Sequence, residues 1–191
     1  ATGRVFLSPY NDPLVIAGQG TVGREMAWQQ PQIDTVLVPV GGGGLISGVA
    51  LYLKSRNPKL EIIGCQPEKS AVMAESFWAG RQLDLPSGPT LSEGTAGGLE
   101  SDTITFDLCR QLVDDFILVP EEKIARAIVF LIEKEGLLAE GAAALPLAAL
   151  MTAPKRFFRR KIALILSGCR LSASVLGRAL ALAEGDGIPE K

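Results

Sequence analysis

Short apolar runs separated by amphipathic stretches set the first expectation for this chain. Val5–Leu7, Thr35–Val40, Glu61–Cys65, Phe116–Val119 and Ile162–Leu166 read as strands, and several are too continuous in Val, Ile and Leu to leave one face in water. Between them, helical spacing of apolar residues covers 20–30, 45–56, 68–79, 103–113, 121–135, 139–151 and 171–184. Pro120 followed by Glu121 and Glu122 marks one helix start, since proline fits a first turn and carboxylates complement the positive end of the helix dipole. The alternation predicts the α/β class: a three-layer α/β/α arrangement around a mostly parallel sheet, with helices on both faces. Residues 80–101, which hold Pro86, Gly88, Pro89, Gly94, Gly97 and Gly98, read as a long loop, and loops of that length commonly carry function.

The sharpest break in the pattern lies at 36–48, where an apolar strand runs into Gly41-Gly42-Gly43-Gly44 and then into a helix from about Leu45. Without Cβ atoms, successive backbone N–H groups can converge on one oxyanion, and the helix start adds a positive dipole end. A phosphate would fit there; a glycine-rich turn needed only for packing is the alternative. The P-loop pattern fails, because Gly48 is followed by Val49 and Ala50 rather than Lys and Ser or Thr. Dinucleotide spacing fails as well, with Ser47 at the third glycine and Gln66 where an acidic ribose ligand would stand. A literal match to that fingerprint occurs at Gly18-Gln19-Gly20-Thr21-Val22-Gly23, but only Leu14–Ala17 precede it, so a helix opening near Thr21 and running through Gln30 is the better reading.

At 191 residues, 47% hydrophobic and 21% charged, the chain can bury one sizeable core. Nineteen basic against twenty-one acidic residues give a net charge of −2, which argues against general nucleic-acid binding. The basic run Lys155–Lys161 reads as charges that follow the helix ending near Met151 and complement its dipole. Ala1-Thr2-Gly3-Arg4 begins no secretory peptide, and Gly136–Met151 is too short and too interrupted to span a bilayer, so no membrane and a cytoplasmic location are expected. Cys65, Cys109 and Cys169 have neither disulfide nor zinc spacing and read as buried thiols.

Five ordered segments carry a resemblance. Tyr10-Asn11-Asp12-Pro13, Ile16-Ala17-Gly18-Gln19-Gly20-Thr21, Pro39-Val40-Gly41-Gly42-Gly43-Gly44-Leu45, Glu140-Gly141-Ala142-Ala143-Ala144 and Ser167-Gly168 are similar to the pyridoxal-phosphate-dependent threonine/serine dehydratases, fold type II enzymes. Leu91–Glu100 resembles the branch associated with ectoine and hydroxyectoine utilisation. The resemblance implies pyridoxal 5'-phosphate as cofactor and β-elimination of a hydroxy amino acid to a 2-oxo acid and ammonia. It implies that the N–H groups of Gly41, Gly42, Gly43 and Gly44 with Leu45 bind the cofactor phosphate. It also places the Ser167 hydroxyl at the ring nitrogen and Glu140 beside the cofactor.

Departures from the family pattern are equally informative. The family's cofactor lysine sits in a Ser-x-Lys-x-Arg-Gly-Ala-like segment followed by a Gly-Asn-His-like loop; none of Lys54, Lys59, Lys69, Lys123, Lys134, Lys155, Lys161 and Lys191 has that setting, and there is no histidine. The chain thus resembles the C-terminal part of a dehydratase, with 1–13 as an arm from the small domain and 14–191 as the cofactor-binding large-domain portion. No catalytic residue is assigned, and turnover by the chain alone is not expected. Ala143 stands where glycine is usual and is expected to narrow the pocket, Cys169-Arg170 replace Gly-Asn, and Glu93 replaces Asp. Where some members hold a divalent cation, this chain has Gln66 and Val72, so no metal is expected. Apolar surface on 121–135 and 139–151, an open strand edge and an exchangeable N-terminal arm predict a homodimer or larger. A non-catalytic phosphate-binding or interaction remnant and a nucleotide-binding α/β domain are the alternatives in other classes.

Overall fold

Asp12 starts the first helix: its Oδ1 accepts from the N–H groups of Leu14 and Val15 at 2.8 and 3.1 Å, and Pro13 fits the first turn without needing an acceptor. In the computed structural model, which describes residues 3–184, this helix, α1, spans Pro13–Gln29. Its start corrects the expectation of an opening near Thr21. The glycines of the fingerprint-like segment serve helix packing instead. A Cβ on Gly20 would stand 3.2 Å from Gly48 O, one on Gly23 2.9 Å from Val49 O, and one on Gly48 2.2 Å from Ile16 O, so α1 and α2 (Gly44–Arg56) cross backbone to backbone.

Four strands form the sheet: β1 (Thr35–Pro39), β2 (Glu61–Pro67), β3 (Asp115–Val119) and β4 (Ile162–Leu164), in the order β3-β2-β1-β4. Every pairing among them is parallel, with Leu37 opposite both Ile63 and Leu164. Successive side chains point to opposite faces, which divides the core. Val36, Val38 and Ile62 pack beneath α2, α3 (Val72–Ala79) and α4 (Ile104–Leu112), flanked by α1. Leu37, Ile63 and Ile117 pack beneath α5 (Glu121–Glu135), α6 (Gly141–Thr152) and α7 (Ala173–Glu184). These are the three expected layers.

Several expectations need correction. Val5, Phe6 and Leu7 are 85, 78 and 71% exposed and form no strand, because no sheet edge lies beside them to take their backbone hydrogen bonds. In the basic run, Arg156 bonds Asp115 at 2.6 Å and Glu61 at 3.0 Å, while Arg160 bonds Asp34 at 3.1 Å and Glu61 at 2.8 Å. Those ties join the starting ends of β1, β2 and β3 rather than serving a helix dipole. Cys65 and Cys109 are buried, whereas Cys169 is exposed. The apolar face expected to be open on 121–135 and 139–151 is largely internal, with Ala142–Pro146 buried and Phe130 at the margin. Ala1 and Thr2 of the expected arm, and residues 185–191, lie outside the described residues. Among the described residues no helix is long and apolar enough to cross a membrane.

Candidate functional site

A parallel sheet delivers the carboxyl ends of all its strands to one rim, where ligands bind. Here β1 leads into Gly41–Gly44, β4 beside it leads into Ile165–Gly168, and β2 on its other side ends at Gln66 and Pro67. Gly43 caps α2 in the left-handed conformation, φ +87°. Among the described residues, the N–H groups of Gly41 through Ile46 donate to no acceptor; the first to close is Ser47 N on Gly43 O at 3.0 Å. Unspent donors of this kind, gathered at the positive end of a helix, match a phosphate dianion.

Two side chains, Tyr10 and Thr105, and the backbone of Thr95 wall this cradle. Thr105 Oγ1 donates to Gly42 O at 2.6 Å, and because the peptide is planar and trans, the following Gly43 N–H points the opposite way, away from α4. The Tyr10 ring lies where a Cβ on Gly42 would stand 2.3 Å from it, and a Cβ on Gly41 would meet Thr95 Cα at 3.1 Å. Burial holds the Tyr10 phenol above its usual range; the Glu100 N–H bonded to it works against this and the Glu100 carboxylate adds to it.

Glu140 caps α6 and grips the segment after β4. Its N–H donates to Gly168 O at 3.2 Å, its Oε2 accepts from Arg170 N at 3.2 Å, and a Cβ on Gly168 would lie 2.4 Å from Oε1. Gly94 joins the two halves of the site: its Cβ would stand 3.6 Å from Glu140 Oε1, and its carbonyl lies 3.6 Å from the Cβ position of Gly41. This linking loop is fixed by Ser92 Oγ and Thr95 Oγ1 at 2.6 Å and by Leu91 N donating to Glu121 Oε2 at 2.7 Å.

Gly41, Gly42, Gly43, Gly44, Leu45 and Glu140 therefore share one rim, and Ser167, exposed, precedes the glycine that Glu140 grips. The Ala143 methyl lies in the core under α5 and does not narrow a pocket. Gln66 is buried with Oε1 spent on Ala74 N at 2.7 Å and Val72 is apolar, so this position offers a cation no carboxylate. Tyr10, Thr95 and Thr105 were not legible as wall residues. Tyr10 lay inside a recognisable motif without a role, and Thr105 looked like one more polar residue on a helix.

The family model for pyridoxal-phosphate dependent enzymes matches residues 1–168. L-threonine ammonia-lyase of Thermotoga maritima is 42% identical over 179 residues, 94% of this chain and 44% of its own length. Among solved structures, the processed form of threonine deaminase isoform 2 from Solanum lycopersicum matches at TM-score 0.88 and 34% identity, over 95% of this chain and 53% of that one. Maize serine racemase matches at TM-score 0.85 and 36% identity, over 94% and 57%. The chain spans about half the length of the relatives it matches.

Proposed function

The chain belongs to the family of pyridoxal-phosphate-dependent enzymes, and on that premise we propose that it is the cofactor-phosphate-binding portion of a threonine/serine ammonia-lyase. The observation that carries the proposal is the row of unspent N–H groups from Gly41 to Ile46 at the start of α2. Those donors would hold the phosphate, with Tyr10, Thr95 and Thr105 fixing the loop that presents them. When bound, pyridoxal phosphate supplies an electron sink that lets an amino acid lose its α-proton and then its β-hydroxyl.

Residues of this chain set how that sink is tuned. Ser167 would offer a neutral hydroxyl to the ring nitrogen, where a carboxylate would hold a proton on the ring and deepen the sink. Glu140, through Gly168 and Arg170 N–H, would fix the turn that carries Ser167. The products would be a 2-oxo acid and ammonia, water having left and returned. Relatives named for threonine support a β-hydroxy amino acid as substrate.

Binding of pyridoxal 5'-phosphate compared with pyridoxal tests the reading directly. The phosphorylated compound should bind the 191-residue chain and be displaced by inorganic phosphate, while pyridoxal should bind far more weakly; equal binding of the two would refute the cradle. Since no lysine lies in the family's cofactor segment, the chain alone should form no 2-oxo acid from threonine or serine. Supplying in trans the part of a relative that this chain does not span should restore it.

A further inference from the structure

Two segments distant in sequence are knotted together beside the cradle, and one residue, Glu100, makes most of the ties. Glu100 Oε1 accepts from Ser8 Oγ at 2.7 Å, and Oε2 accepts from Asn11 Nδ2 at 3.0 Å. Its N–H donates to Tyr10 Oη at 2.7 Å, and its carbonyl accepts from Gln82 Nε2 at 2.6 Å. Asn11 completes the knot: its N–H donates to Ser8 Oγ at 2.9 Å, and its Oδ1 accepts from the N–H of Ile104, the first residue of α4, at 3.0 Å. Both carboxylate oxygens and the N–H of Glu100 are thus spent on holding 8–11, while its carbonyl anchors Gln82.

What the knot holds is the cradle's outer wall. The Tyr10 ring lies against Gly42, and its Cα and Cβ stand 2.9 Å from the Cβ position of Gly44. From the same helix that Asn11 caps, Thr105 Oγ1 fixes Gly42 O at 2.6 Å. Gly42 is therefore gripped by two groups, Tyr10 and Thr105, whose supports both run through Asn11 and Glu100. A carboxylate is otherwise an unfavourable neighbour for an anion site, because it repels the ligand through space.

We propose that Glu100 is a positioning residue of the anion site: by tying Ser8 and Asn11 it sets the Tyr10 ring on Gly42 and presets the peptide planes that receive a phosphate. This rests on the phosphate-cradle reading above. Both Glu100 carboxylate oxygens are spent on Ser8 and Asn11, and its contribution is order achieved before binding rather than attraction.

The test compares affinities of the 191-residue chain and its variants for inorganic phosphate and pyridoxal 5'-phosphate. Glu100→Ala should weaken both about tenfold although it deletes a negative charge; a purely electrostatic role would make binding tighter. Glu100→Gln, whose amide can still accept from Asn11 and donate to the Ser8 hydroxyl, should recover affinity to within about threefold. Without ligand, the ring-current shift of Tyr10 on the Gly42 proton resonances should collapse in Glu100→Ala and persist in Glu100→Gln. Should Glu100→Ala fail to fold, Ser8→Ala removes the hydroxyl that bonds both Glu100 and the Asn11 N–H and should weaken phosphate about threefold. Unchanged or tighter binding in the alanine variant, or an undisturbed Gly42 ring-current shift, would overturn the inference. A wild-type chain that binds neither ligand would overturn the cradle reading and this inference with it, a result distinct from wild-type binding that Glu100→Ala leaves intact.

Discussion

Gly43 leaves no room for a side chain. Its φ is +87°, and a Cβ would lie 2.8 Å from Met73 Cε and 3.0 Å from Thr105 Cβ. A left-handed L-residue costs about 1–2 kcal/mol before that crowding is counted. Gly43→Asp also presses a carboxylate against Met73 and Thr105 behind the loop, which must shift the peptide planes that present the donors, so it should abolish the thermal stabilisation that phosphate gives the wild-type chain. Stabilisation that survives the change would place the anion elsewhere. The glycine run was legible because four residues without side chains between a strand and a helix have few other uses. Its walls were not, because Tyr10 and Thr105 reach the loop from separate elements and nothing in a linear pattern joins them. Glu140 could be read from its motif, but its grip on Gly168 and Arg170 N–H could be seen only in space.

Element boundaries were legible where chemistry marks them. Residues 121–135 form the helix the sequence indicated, since Pro120, Glu121 and Glu122 favour its start and Gly136 ends it at φ 63°. The helix expected from about Thr21 starts about two turns earlier, at the strong opening pair Asp12-Pro13, and runs through the glycines of the fingerprint-like segment. Asp12→Ala should therefore lower stability by about 1 kcal/mol, read from a urea unfolding curve. Val5–Leu7 shows the opposite error: β-forming residues make no strand without a neighbouring edge. At the start of β3, partial burial works against a charged Asp115, but Arg156 at 2.6 Å and the N–H of Phe116 outweigh it and hold the carboxyl below its usual range. A depressed carboxyl stabilises the fold above its unfolded pKa, about 3.9, and loses that contribution as pH falls through the folded value. Asp115→Asn should cost about 0.5 kcal/mol at pH 7, a figure kept low because the side chain is 37% exposed, and the difference from wild type should shrink as pH falls through the folded value.

For the whole molecule, the continuous apolar strands made the α/β class readable, because strands without a solvated face need helices on both sides. The strand order was not readable, yet it decides the site, by setting β4 and β2 on either side of β1 so that Ser167, the glycine loop and Gln66 emerge on one rim. Exposed Val5, Phe6, Leu7, Leu14 and Trp28 leave apolar surface uncovered. We propose self-association as a homodimer or larger, and a stable monomer in light scattering at micromolar concentration would contradict it. The central claim is that the backbone amides opening α2 receive a phosphate, and amide-resolved NMR of the chain titrated with pyridoxal 5'-phosphate tests it most directly. The amide resonances of Gly41 through Ile46 should move furthest and saturate together, and inorganic phosphate should move the same set; resonances that move elsewhere while these stay in place would contradict the account.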